Sequence, residues 1–149
     1  MSDFPDLPLR LLIASTPAHL PVVRAALERL CELMGFDEPT RDGIVLAVDE
    51  ALTNVIRHAY GLAGDQPIEV TLRRVSGPGG DVLLEIDFRD WGEPAEPDRI
   101  RLRDLEDVRP GGLGVHIMQN YMDEIDYAPA PGGGTRLKMI KKLPARSDT

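Results

Sequence analysis

Asp42-Gly43-Ile44-Val45-Leu46-Ala47-Val48-Asp49-Glu50-Ala51-Leu52-Thr53-Asn54-Val55-Ile56-Arg57-His58-Ala59-Tyr60 is the stretch from which the rest of the chain is read. Ile44, Val48, Ala51, Val55 and Ala59 recur at steps of three and four, the period of a helix with one buried face. Glu50, Asn54 and His58 fall at i, i+4 and i+8 and form a polar stripe along one line of that helix. At about 100° of rotation per residue, the stripe lies beside the apolar face and not opposite it. A polar row in that position borders the core and is expected to look into a cleft. Glu50 can accept a proton or orient a nucleophile. Asn54 offers an amide oxygen, a hard ligand suited to Mg²⁺, and His58 can donate to a phosphate oxygen. An isolated Glu-x-x-x-Asn would read as a solvated boundary face, so the weight falls on what accompanies it.

Upstream, Leu7 to Ala14 is a short apolar run bounded by Pro8 and by Ser15-Thr16-Pro17, and it reads as a strand. Ser15 or Thr16 then caps a first helix with Pro17 in its first turn. Leu20, Val23, Leu27, Leu30, Cys31 and Met34 make its apolar stripe, and Gly35 stops it. Cys31 on that stripe reads as a small core hydrophobe and not a nucleophile. Asp37 caps the second helix, which ends near Tyr60-Gly61.

Downstream, Ile68, Val70 and Leu72 alternate with Glu69, Thr71 and Arg73 in a strand from Pro67 to Ser76. Gly77-Pro78-Gly79-Gly80 turns it into a second strand, Asp81 to Asp90. From Trp91 to Gly112 the pattern fails under three prolines and charges of both signs, as in a lid over a site or a surface loop. A third helix is expected from Gly111 to about Met122. Glu124 to Ala130 and Thr135 to Leu143 follow as strands joined at Pro131-Gly132-Gly133-Gly134. The order of elements predicts an α+β two-layer sandwich: a mostly antiparallel mixed sheet with helices on one face, in one domain over 1–149.

Composition narrows the function. The chain has 149 residues and a formal net charge of −8, with 42% apolar and 28% charged residues. Binding to a nucleic-acid backbone needs clustered Lys and Arg, so an acidic chain is a poor candidate for it. Cys31 is the one cysteine, which excludes an internal disulfide. No apolar run approaches a bilayer-spanning length, and the acidic Met1-Ser2-Asp3-Phe4-Pro5-Asp6 lacks the regions of a signal peptide. A cytoplasmic location away from membranes is expected.

Three further motifs join the helix. Asp90-Trp91-Gly92-Glu93-Pro94 ends a strand, where a carboxylate can accept a hydrogen bond from an exocyclic amine and Gly92 admits a flat ring. Gly111-Gly112-Leu113-Gly114 precedes a helix, where free backbone N–H groups and the helix dipole can hold an anion. Gly134-Thr135 opens the last strand with a hydroxyl. Each alone is an ordinary turn. Neither a G-x-G-x-x-G after a strand in a βαβ unit nor a G-x-x-x-x-G-K-[ST] loop is present.

In order and spacing, the motifs resemble the GHKL nucleotide-binding fold shared by gyrase-type topoisomerases and histidine kinases. Glu50 to Tyr60, and Gly112-Leu113-Gly114 continuing into Met122-Asp123-Glu124, most resemble the stand-alone anti-sigma-factor serine/threonine kinases. The likeness runs from about Leu11 to Leu143, leaving no room for the phospho-accepting hairpin of a histidine kinase. Where the fold commonly shows Asp-x-Gly-x-Gly, this chain has Asp90-Trp91-Gly92-Glu93-Pro94, and a proline form is usual in that branch.

The resemblance implies ATP and Mg²⁺ as cofactors. Glu50 is then the general base for a substrate hydroxyl, and Asn54 the Mg²⁺ ligand. Asp90 binds the adenine amine with Gly92 beside the ring and Thr135 assisting. Gly112, Leu113 and Gly114 hold phosphates, with Arg57, His58 and Arg109 as further candidates to reach them. It also implies an anti-sigma antagonist as protein substrate, a sigma factor as sequestered partner, and a homodimer. The alternatives are a non-catalytic ATP-binding module and an ATPase or histidine-kinase-type catalytic domain.

Overall fold

The computed structural model describes residues 8–59, 61, 64–92 and 119–143. Strand β1, Leu9–Ala14, leads through a 3-10 turn at Pro17–His19 into helix α1, Leu20–Met34, and then helix α2, Glu38–Ala59. Strands β2, Pro67–Ser76, and β3, Val82–Asp90, form one hairpin, and strands β4, Glu124–Pro129, and β5, Thr135–Leu143, form another. The sheet runs β1-β2-β3-β5-β4, and every pairing among the described residues is antiparallel. The α+β expectation is met. The expected third helix is seen only at residues 119–121; the rest of it lies outside the described residues.

The strands form a sheet with one dry face because their alternation is matched across the register. Val70 faces Phe88, which faces Leu137, and Leu72 faces Ile86, which faces Met139; all six are buried. The neighbours in between point the other way. There Arg136 pairs with Asp87 at 3.0 Å and Lys138 with Glu85 at 3.4 Å. Such half-exposed pairs add little stability.

Helix α2 buries Ile44, Val45, Ala47, Val48, Ala51, Leu52 and Ile56. This arc is wider than the stripe read from the sequence and is rotated toward Val45, Leu52 and Ile56. Helix α1 accounts for the difference: it packs on α2, buries its own Val23, Leu27 and Cys31, and sends Arg24 to Asp49 at 2.7 Å. A helix covered from two sides needs apolar residues over more of its circumference. Val55, expected inside, is only partly buried. Burial pushes the Cys31 thiol up to about 12, which fits an inert core side chain.

The caps expected at Gly35 and Asp37 are in place, whereas Thr16 caps the 3-10 turn at Pro17–His19 and α1 itself starts at Leu20 behind His19 with no side-chain cap. Thr16 accepts from the Ala18 N–H at 3.4 Å, and Gly35 closes α1 at φ +98° with its N–H on the Cys31 and Glu32 carbonyls. Asp37 Oδ1 accepts from the Thr40 N–H at 2.9 Å. The bonds from Thr40 hold the Asp37 carboxyl below its ordinary value. A carboxyl lowered by folding contributes stability above its unfolded pKa and loses it as pH falls through the folded one. Asp37→Asn should therefore flatten the acid limb of a plot of melting temperature against pH, and an unchanged limb would show that the cap contributes nothing.

Gly43 has a reason to interrupt α2. A Cβ built there would collide with the ring of Tyr121 in the returning segment 119–121. Gly43→Ala gains about 1 kcal/mol of helix propensity but must displace the ring, at an overpacking cost of about 1–3 kcal/mol. The expected net result is a lower melting temperature. In a Tyr121→Ala background the ring is gone, and the same substitution should raise it. Melts of the four proteins decide, and the same sign in both backgrounds would refute the contact.

Candidate functional site

The predicted residues that are described sit on three elements, α2, β3 and β5, with Gly92 just beyond β3. On α2, Glu50 and Asn54 lie one turn apart, half-buried, with the buried Ala47 and Ala51 alongside. A polar row that borders the core is what the spacing predicted. Arg57 and His58 are exposed in the last turn. Thr53, between Glu50 and Asn54 in sequence, donates its hydroxyl to the Asp49 carbonyl at 2.8 Å and stays with its own helix. Helix α2 packs over β3, so the row and the end of that strand belong to one side of the sheet.

At that strand end Asp90 is only 4% exposed. A buried carboxylate is costly unless hydrogen-bonded, and Oδ1 accepts from the Gly92 N–H at 3.1 Å and the Thr135 N–H at 3.2 Å. Oδ2 takes no donor from any described residue, and no described side-chain oxygen is sealed away without a partner. One oxygen is thus fixed and the other is left to receive a donor from outside. Burial raises the Asp90 pKa, while the Gly92 and Thr135 amides and then the charge of Arg89 pull it back.

The approach of β5 explains the glycine before Thr135. Gly134 stands at φ +83°, and a Cβ there would run into the Asp90 carbonyl. Only glycine meets both demands. Thr135, distant in sequence, is therefore brought to the Asp90 and Gly92 pair by a hydrogen bond.

Arg109, Gly112, Leu113 and Gly114 lie outside the described residues. The sequence reading did not single out Arg89, which donates from Nη2 to the Pro131 carbonyl at 2.8 Å and the Gly133 carbonyl at 3.0 Å. Its only sequence signal was a charge on the wet face of β3. The signal for Gly43 was a glycine inside a helix, which commonly marks close packing.

The arrangement is that of a two-layer domain with the polar row of a helix and the end of a strand on one side of the sheet. The chain belongs to the histidine kinase-like ATPase domain family, whose model matches residues 13–141. It is 27% identical over 149 residues to serine-protein kinase RsbW of Bacillus pumilus, covering 96% of this chain and 90% of that one. To the anti-sigma F factor of Pasteuria penetrans it is 35% identical over 105 residues, 68% of each chain.

Among solved structures, it is similar to the RsbU and RsbW domains of a Mycobacterium tuberculosis protein. That match has a TM-score of 0.60 at 23% identity and covers 97% of this chain and 35% of that one. The SiaB–SiaC complex of Pseudomonas aeruginosa gives 0.57 at 12% identity, over 91% and 89%. Both show the fold. The family and fold expectations from the sequence are borne out. Among the described residues, no helix is long and apolar enough to cross a membrane.

Proposed function

We propose that the protein is an ATP-dependent serine/threonine kinase that acts as an anti-sigma factor, phosphorylating an antagonist protein and sequestering a sigma factor in the cytoplasm as a homodimer. The observation that carries this reading is Asp90: a buried carboxylate with one oxygen fixed by two amides and the other open. Such an oxygen is a selective acceptor for the exocyclic amine of adenine, and the names of the relatives supply the protein-directed chemistry.

The residues present fit a nucleotide with its cation. Among the described residues, no three His, Cys, Asp or Glu side chains form a metal site. A Mg²⁺ here would be held by Asn54 together with phosphate oxygens and water, as suits this ion. When bound, it offsets charge on the phosphates. Thr135 assists at the base and Gly92 admits it. Glu50, half-buried beside Asn54, takes the proton of the substrate hydroxyl. Gly112, Leu113 and Gly114 hold phosphates, with Arg57, His58 and Arg109 as further donors to them.

Titration calorimetry with ATP and Mg²⁺ is expected to show binding that ADP competes away. Labelled ATP should then transfer its γ-phosphate to a serine or threonine of an antagonist protein. Absence of heat at millimolar nucleotide would sink the nucleotide reading. Binding without transfer would leave an ATP-binding interaction module.

A further inference from the structure

Arg89 precedes Asp90 on β3, so strand alternation sends its side chain to the opposite face of the sheet. An arginine on an open sheet face usually spends its charge on water or a carboxylate. Glu69 and Arg136 are its register partners, yet Arg89 makes no ion pair among the described residues. Its donors go to backbone carbonyls instead. Nη2 donates to those of Pro131 and Gly133, Nε donates to that of Asp90 at 3.2 Å, and the guanidinium lies 5.0 Å from the centre of the Trp91 ring.

One planar fork therefore ties the Asp90-Trp91 segment to the turn that runs from Pro131 into Thr135. The N–H groups that fix the Asp90 carboxylate, those of Gly92 and Thr135, adjoin these two segments, and Gly134 lets the backbones of the segments approach each other. We propose that Arg89 is a positioning residue that sets the base selectivity of the nucleotide site, acting from the far side of the sheet through the turn and Asp90. This rests on the reading of Asp90 as the acceptor for an exocyclic amine.

The chemistry gives the direction of the effect. Adenine presents a donor to the open oxygen of Asp90, whereas guanine presents a carbonyl that the carboxylate repels. Discrimination depends on where that oxygen sits, while phosphate contacts are indifferent to the base. Loosening the tie should therefore cost affinity for ATP and leave the weaker affinity for GTP near its starting value. Lysine keeps the charge but, as a single point donor, cannot hold the same fork.

The experiment is calorimetry with Mg²⁺-ATP and Mg²⁺-GTP on the parent, Arg89→Met and Arg89→Lys, with a melting curve for each. Arg89→Met is expected to lower ATP affinity about tenfold, the scale of one lost hydrogen bond to a charged group. The ATP-to-GTP preference should narrow by the same factor. Arg89→Lys should fold even if the methionine variant does not, and it should narrow the preference as well. An unchanged preference in variants that fold would overturn the assignment alone. So would an equal loss for both nucleotides that tracks a lower melting temperature, since that is the mark of a merely structural residue. A parent that binds neither nucleotide would overturn the assignment and the reading beneath it together.

Discussion

Glu50→Gln is expected to cut phosphate transfer to the protein substrate by about 10²–10⁴-fold, the range for loss of a general base. The substitution keeps the length and planarity of the side chain and leaves Asn54 one turn away undisturbed. Because Glu50 is half-buried at the border of the core and not within it, the melting temperature should stay near the parent's. Nucleotide affinity should hold too, since the carboxylate serves the incoming hydroxyl. The variant would then bind its partner without marking it. Phosphoryl transfer draws much of its acceleration from positioning and charge stabilisation, so the size of the drop measures how far proton removal limits the rate. Single-turnover phosphorylation beside a melting curve is the measurement. Parent-like transfer would remove Glu50 from the chemistry, and a joint fall in rate and stability would make it a structural residue.

Asp90→Asn should separate binding from stability. With a donor where the open oxygen stood, nucleotide affinity is expected to fall by about 10- to 150-fold, from the roughly 1.5–3 kcal/mol of a hydrogen bond to a charged group. The free protein should melt no lower than the parent and can melt higher. The asparagine oxygen still accepts from Gly92 and Thr135, and a buried amide costs less than a buried charge. The pH dependence carries the same signature. Burial raises the Asp90 pKa in the folded state. Its contribution to stability is therefore fully present below the unfolded pKa and is lost as pH rises through the folded one. Affinity for nucleotide runs the opposite way and weakens as the carboxylate gains its proton. In the parent the two curves should slope in opposite senses just above the ordinary aspartate range, and both slopes should vanish in Asp90→Asn. A variant that binds ATP as tightly as the parent would end the assignment.

The local patterns were legible because the forces behind them are local. The alternation of Ile68, Val70 and Leu72 specified a strand with one dry face, and the cap at Asp37 and the stop at Gly35 were written in single residues. The polar row of Glu50 and Asn54 was legible for the same reason. Which flank of α2 carries the widest apolar cover was not, because it depends on α1 folding back onto it, and this is why Val55 sits half-buried while Leu52 is inside. The site divides along the same line. Asp90 and Gly92 announced themselves as a strand-ending pair. The bond from Thr135 to Asp90 and the fork from Arg89 join positions more than forty residues apart, and no short-range pattern encodes such a contact.

The seat of Tyr121 over Gly43 has a consequence for how sequences of this fold can drift. A methyl group at 43 is tolerable only where the ring at 121 has already been lost, and a ring at 121 is admissible only where 43 is bare. The methyl is costly with the ring in place and favourable without it, so descent runs more easily through one order of events than the other. Removing the ring first leaves a helix that welcomes alanine, whereas adding the methyl first forces the ring off its seat on Gly43. The two columns should covary across a lineage as if they were adjacent letters, though most of the chain lies between them.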